Sequence, residues 1–393
     1  MSTDAPDAMP AASAASETSP TPSTATPTSD TPGFDADAML DDLERLVSRE
    51  SPSDDLEALE RSADEVAALG HRLFGRDPER HGVHLRWRFG TPRFLVLGHH
   101  DTVWPLGTID RWPMTVDGDR VSGPGCFDMK GGIVLAMHAA AALDSPDGVV
   151  VLWTGDEEIG APTSRDLIVD TATGLEATLV TEPCAGGSVK VARKGIQVLR
   201  LTATGRASHA GLEPEKGVNA AVELAHQLVA ISQWERPPGL TLVPTQVQAG
   251  TTMNTVPAAA SVVFDMRGPS AQDMEAMEQR LRALEPVLAG ATLEVARSHG
   301  RGPLEASSSA SLFQLAREVA SGLGQGELGG VEVGGVSDGN FTAAAGVPTL
   351  DGLGVIGDGA HAEGEWLSRA SLVDRAALVH GMLARLQREG LAP

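Results

Sequence analysis

Tyrosine is absent from this 393-residue chain, cysteine occurs only at Cys126 and Cys184, and 30 basic residues face 53 acidic ones. Each shortage excludes something. Two thiols cannot build a disulfide scaffold, and so little cysteine suits a reducing cytoplasm. A formal charge of −23 provides no surface for polyanions, which excludes nucleic acid and anionic membranes as partners. No run approaches the roughly 18 apolar residues of a membrane span, so an integral membrane protein is excluded as well. The lack of tyrosine, beside abundant alanine and glycine, reads as compositional bias without mechanistic content.

What is present describes a globular chain, 41% apolar and 21% charged, and too long for one core. Residues 1–33, rich in Ser, Thr, Ala, Pro and Asp with no basic start or apolar stretch, read as a disordered tail rather than a signal peptide. Helical spacing follows from Asp35, and again over Leu56 to Phe74. Val83, Leu85, Trp87 and Phe89 alternate as a half-buried strand. The runs Phe94–Leu97, Val149–Thr154 and Leu179–Thr181 read as buried strands of an α/β domain. The texture changes near Arg193, where strands at Ile196–Thr204, Ala259–Arg267 and Thr292–Arg297 and helices at Gly217–Ile231 and Gln272–Leu288 form a small α+β layer. We expect a mixed sheet flanked by helices, built from residues 34–192 and 303–393, with an inserted domain at 193–302.

The chemistry gathers at strand ends. Gly98-His99-His100-Asp101 closes the first buried run, with His99 and Asp101 on one face and His100 on the other. A carboxylate two residues from an imidazole can fix its tautomer and raise its basicity, as a metal-bound histidine requires. Gly155-Asp156-Glu157-Glu158 closes the second run, Glu182 the third, Asp128 precedes the helix from Ile133, and His361 precedes the last helix. The Gly-rich stretch around Asp128 lacks the spacing of a phosphate loop or a dinucleotide site. His99, Asp128, Glu158, Glu182 and His361, imidazoles and carboxylates without thiolate, suit zinc, with cobalt or manganese as substitutes. If Asp128 bridges, they give three contacts to each of two metals. Cys126 and Cys184 read as small buried residues, and His138, His226 and His380, inside helices, as structural.

These motifs resemble the co-catalytic zinc peptidase and deacylase family that includes glutamate carboxypeptidase, acetylornithine deacetylase and succinyl-diaminopimelate desuccinylase. Six stretches carry the likeness: Gly98-His-His-Asp-Thr-Val, Gly123-Pro-Gly-Cys-Phe-Asp-Met-Lys-Gly-Gly, Thr154-Gly-Asp-Glu-Glu-Ile-Gly, Glu182-Pro, Gly205-Arg-Ala-Ser-His-Ala-Gly, and His361 with Glu365. The resemblance implies that His99 and Glu182 hold one zinc, that Glu158 and His361 hold the other, and that Asp128 bridges. By the same likeness Asp101 orients His99, Glu157 is the general base, and His209, Asn254, Arg267 and Arg301 hold the substrate carboxylate or developing oxyanion. It also implies a homodimer formed through the inserted domain.

Within that family, Thr163-Ser-Arg-Asp-Leu-Ile and the segment from Ala207 to Ala220 resemble the glutamate carboxypeptidase branch. The expected activity is release of C-terminal glutamate from peptidyl or N-acyl, folate-like conjugates, so the expected ligand is a small molecule or short peptide with a free carboxylate. The alternative is a deacylase of N-acyl amino acids such as acetylornithine or succinyl-diaminopimelate. A non-catalytic metal-binding module is disfavoured, because Glu157 is not needed to hold metal and is present.

Overall fold

The computed structural model describes residues 32–391, so the tail expected over residues 1–33 lies outside the described residues but for its last two positions. A six-stranded sheet runs in the order Glu79–His81, His84–Arg88, Val149–Thr154, Phe94–His99, Ala177–Val180, Thr349–Leu350. The last four strands are mutually parallel and the first two antiparallel, which makes the sheet mixed. Strands Phe94–His99 and Val149–Thr154 are buried at every residue, which is why their sequences are continuous apolar runs.

Register places the chemistry. His99 pairs with Thr154 and Leu97 with Val180, so three neighbouring strands end at one level and release His99, the Glu157–Glu158 turn and Glu182 on one edge. The helix Gly131–Ala141 starts at that edge, and its approach requires glycine: a Cβ on Gly132 would lie 2.0 Å from the Thr181 carbonyl oxygen. A smaller sheet, Gly357–Asp358, Trp366–Ser368, Arg120–Ser122 and Thr115–Asp117, brings the His361 turn beside the loop of Asp128.

Residues 195–301 carry a separate antiparallel sheet, in the order Thr241–Ala249, Ala259–Gly268, Gly195–Thr204, Thr292–Arg301. Helices Ala220–Ser232 and Ala271–Arg282 pack on it around a core including Leu199, Leu201, Leu224, Phe264 and Met274. The chain enters and leaves side by side, with reciprocal hydrogen bonds between Arg193 and Leu304. The second helix stops at Arg282, earlier than its apolar pattern suggested. Pro286 disfavours helical backbone at Glu285, and the turn ends ahead of it. Strand Thr241–Ala249 carries no clean strand signal in the sequence because Pro244 interrupts it. It is an edge strand with a register shift between Pro244 and Gln246, where proline costs no ladder bond.

His138, expected to be structural, helps to clamp three helices together. Buried Asp42 of helix Ala36–Val47 meets Arg72 Nη2 of helix Leu56–Phe74 at 2.7 Å and His138 Nε2 of helix Gly131–Ala141 at 2.9 Å. Burial works against the Asp42 carboxylate, but His138 and Arg72 outweigh it and lower its pKa below 3.8. Asp42 therefore stabilises the fold fully above its unfolded pKa, and that stability is lost as pH falls through the lower folded value. Asp42→Ala should cost about 1.5–3 kcal/mol near neutral pH, the range for hydrogen bonds to a charged group. Urea unfolding midpoints of wild type and variant should converge under acid. A constant gap down to the most acidic pH at which both fold would remove the charge from the explanation.

Candidate metal centre and active site

His99 is only 2% exposed, and its ring is fixed from behind. Nδ1 donates to the Asp101 carbonyl oxygen at 3.0 Å and lies 3.3 Å from Asp101 Oδ1, which leaves the Nε2 lone pair facing the cluster. Asp101 also ties His99 to the next strand end: its carboxylate accepts the N–H groups of Glu157 and Glu158, each at 3.2 Å, and the Ser53 hydroxyl at 2.6 Å. Burial opposes this charge, yet His99 and Ser53 prevail and lower its pKa.

The distances then divide into two halves around Asp128. On one side His99 Nε2 lies 3.5 Å from Asp128 Oδ1 and 3.3 Å from Glu182 Oε1. On the other, His361 Nε2 lies 3.4 Å from Asp128 Oδ2 and 3.1 Å from Glu158 Oε2. Each carboxylate oxygen of Asp128 thus faces a different imidazole, and each imidazole has its own glutamate. His99, Asp128 and Glu158 offer atoms all within 4.8 Å of one another, as do His99, Glu157 and Glu182. His361 stands at φ 62° on an exposed turn, a left-handed conformation rare outside glycine and concentrated at functional sites.

A divalent cation fits these residues. Asp128 Oδ1 and Glu158 Oε1 are buried with no hydrogen-bond donor among the described residues, an arrangement that costs free energy unless a positive charge meets them. Burial, with repulsion from Asp128 and Glu157, pushes Glu158 up to about 8. The hydrogen bond to Asp128 raises His361 to about 9. Such mutual perturbation marks a cluster arranged for charge that its own side chains do not balance. Asp156, the third acid of its run, turns away: its carboxylate takes the N–H and hydroxyl groups of Thr163 and Ser164 and shapes the turn before helix Arg165–Ala172.

Glu157 sits beside the cluster, and Arg301 Nη1 reaches its Oε1 at 2.8 Å. Burial and Glu182 raise the Glu157 pKa against the pull of His99 and Arg301. Both form one wall of a cavity of about 870 Å³, which Glu158, His361, Arg165 and Arg267 also line. Arg267 is held by Asp265 at 3.1 Å. His209 and Asn254 are not brought there. They are exposed on adjoining loops, where the Ala210 N–H bonds the Asn254 carbonyl oxygen, and neither lines the cavity.

Three residues at the site were assigned no role from sequence. Arg193 braces Glu182, with Nη2 3.3 Å from Glu182 Oε2 while its fork grips Asp351 at 2.7 and 3.1 Å. Asp338 is buried beside Arg301 at 3.5 Å and takes the Thr154 hydroxyl at 2.9 Å. Burial and Glu157 raise its pKa to about 8. Glu365 accepts four N–H groups around the Asp128 loop. Only Glu365 gave a signal, its place four residues after a candidate ligand. Asp338 lies 184 residues from Thr154, and Arg193, though 11 residues from Glu182, is anchored by Asp351 158 residues away.

Comparison with known proteins fits this architecture. The chain is 30% identical over 371 residues to carboxypeptidase G2 of a Pseudomonas species, spanning 87% of this chain and 86% of the relative. It is 28% identical over 380 residues to succinyl-diaminopimelate desuccinylase of Rhodospirillum centenum, spanning 88% and 96%. In fold it resembles aminopeptidase PepT of Bacillus cereus (TM-score 0.68, 18% identity, 90% of this chain and 99% of that one). It likewise resembles the M20 family metallo-carboxypeptidase Sso-CP2 of Sulfolobus solfataricus (TM-score 0.62, 16% identity, 88% and 98%). The model of peptidase family M20/M25/M40 matches residues 95–385, well over half of the sequence, and the chain belongs to that family.

Proposed function

We propose that this member of an amide-hydrolysing family is a glutamate carboxypeptidase: it releases a C-terminal glutamate from peptidyl or N-acyl conjugates with the help of two zinc ions. The observation that carries the reading is Asp128, whose two oxygens face separate histidine–glutamate pairs. His99, Glu182 and Asp128 would hold one ion and His361, Glu158 and Asp128 the other, cobalt or manganese being possible substitutes. When bound, such ions supply Lewis acidity and make water a stronger acid.

The remaining work falls to side chains. Glu157 takes a proton from the attacking water and passes it to the leaving amine, and its raised pKa suits both transfers. Arg301 holds Glu157 through Oε1, so the carboxylate keeps one oxygen for the proton. Asp101 keeps the His99 ring in its tautomer. Arg267 grips the substrate carboxylate from the cavity wall, where a planar fork offers two parallel charge-assisted bonds and an ammonium offers a point charge. The chain works as a homodimer through its inserted domain. The edge strand Thr241–Ala249 exposes Val243 and Val247, and helix Ala220–Ser232 exposes Val222 and Val229, an apolar face and open strand suited to a second copy. His209 and Asn254 would meet substrate only across that interface. Buried, unpaired Cys126 and Cys184 accord with a reducing cytoplasm.

The test is a panel assay of zinc-loaded protein, reading release of glutamate, ornithine or diaminopimelate from folate-like, peptidyl and N-acyl substrates. Glutamate release should dominate, whereas selective release of ornithine or diaminopimelate would replace this reading with the deacylase. In the same panel Arg267→Lys should lower kcat/KM for carboxylate-bearing substrates by about 1.5–3 kcal/mol and barely affect amide-capped ones. Parallel losses on both would make Arg267 a support of the fold.

A further inference from the structure

We propose that Glu365 is a positioning residue of the metal centre, whose carboxylate ties the Asp128 loop to the His361 turn and so sets the affinity of the position formed by Asp128, Glu158 and His361. This rests on the two-metal reading above. Glu365 is 0% exposed. Its Oε1 accepts the N–H groups of Phe127 at 2.8 Å and Asp128 at 2.9 Å, and its Oε2 accepts those of Gly125 at 3.0 Å and the Trp104 indole at 2.9 Å. A carboxylate has about four acceptor sites, so all are committed. Glu365 is saturated and cannot itself be a ligand.

The loop needs such an acceptor. Gly125 is left-handed at φ 72°, and Asp128, at φ −114° and ψ 97°, is not helical. Irregular backbone of this kind leaves N–H groups without helical partners, and buried donors must find another. Glu365 supplies one acceptor group for three of them. It is also the last residue of the His361 turn before strand Trp366–Ser368, which is fixed by the pairing of Trp366 with Ser122. The Glu365 carbonyl takes the Ser122 hydroxyl at 2.8 Å. One residue therefore joins the backbone of the bridging aspartate to the turn of the exposed histidine.

The two metal positions do not depend on it equally. His99 is buried and held by Asp101, and Glu182 is braced by Arg193. Those two ligands keep their places without Glu365. His361, with a side chain 54% exposed, has ion-pair partners only in Asp128 and Glu158 among the described residues. A glutamine at 365 would turn an amide N–H₂ against two of the four donors and loosen both the Asp128 loop and the His361 turn.

The experiment is a titration of chelator-stripped full-length protein with cobalt ions, read by visible absorption and calorimetry. Wild type should bind two ions. Glu365→Gln should weaken one step by about 10- to 100-fold, the range for outer partners of metal ligands, and the other by much less. Trp104→Phe removes a single donor and keeps the ring in place against Trp112. It should weaken the same step by less, and it carries the test if the glutamine variant does not fold. A purely structural role would weaken both steps together, and that result, or unchanged binding in both variants, overturns the proposal. Wild type binding fewer than two ions overturns the two-metal reading and this inference with it.

Discussion

Glu157→Gln should retain two metal ions per chain and lose at least about 10²-fold in kcat, the lower bound for removing a general base. The amide is isosteric and its oxygen can still accept from Arg301 Nη1, now 2.8 Å from Oε1, so neither the cavity wall nor the metal cluster should move. What disappears is the capacity to take a proton and return it. KM should change little if, as proposed, Glu157 acts on the water and Arg267 holds the substrate. Metal analysis beside steady-state kinetics separates the outcomes. Full activity would reassign proton transfer, whereas loss of metal together with activity would make Glu157 a ligand.

The sequence made the strand-borne half of this site legible for a physical reason. Parallel strands buried on both faces are written as continuous apolar runs, and the residue after each run lies on the same edge of the sheet, so His99, Glu157, Glu158 and Glu182 could be brought together without coordinates. Asp128 and His361 lie on turns with no periodicity. Their convergence depends on the small sheet that pairs Trp366 with Ser122, whose strands are only two or three residues long and carry no pattern. The contact of Arg301 with Glu157 joins positions 144 apart, and the brace of Arg193 on Glu182 depends on Asp351, 158 residues away. Nothing local encodes such pairs, since charged residues of either sign look alike until the fold brings them together. His209 and Asn254 differ again. Motif likeness marked them, yet one chain leaves them exposed and outside the cavity.

Asp128→Asn should abolish activity and remove both metal ions, a larger loss than any other single ligand change. The reason lies in the division of its oxygens: Oδ1 faces His99 and Oδ2 faces His361, at 3.5 and 3.4 Å. An asparagine keeps one carbonyl oxygen and presents N–H₂ to the other imidazole, so one half loses its carboxylate and the other keeps only a neutral acceptor. Both halves also lose the negative charge that their imidazoles now meet. Burial opposes that charge, but the neighbouring His361 and His99 imidazoles overcome it and lower the Asp128 pKa, a measure of how strongly positive charge is sought here. Glu158→Gln, by contrast, alters a ligand assigned to the His361 position alone and should leave one ion bound at the His99–Glu182 position. Outer-shell changes alone cost about 10- to 100-fold in metal affinity, so a shared ligand should cost at least that at each position. Zinc content after dialysis against a weak chelator gives the comparison directly. Two ions retained by Asp128→Asn would exclude it as the bridge, and one ion retained would confine it to a single half.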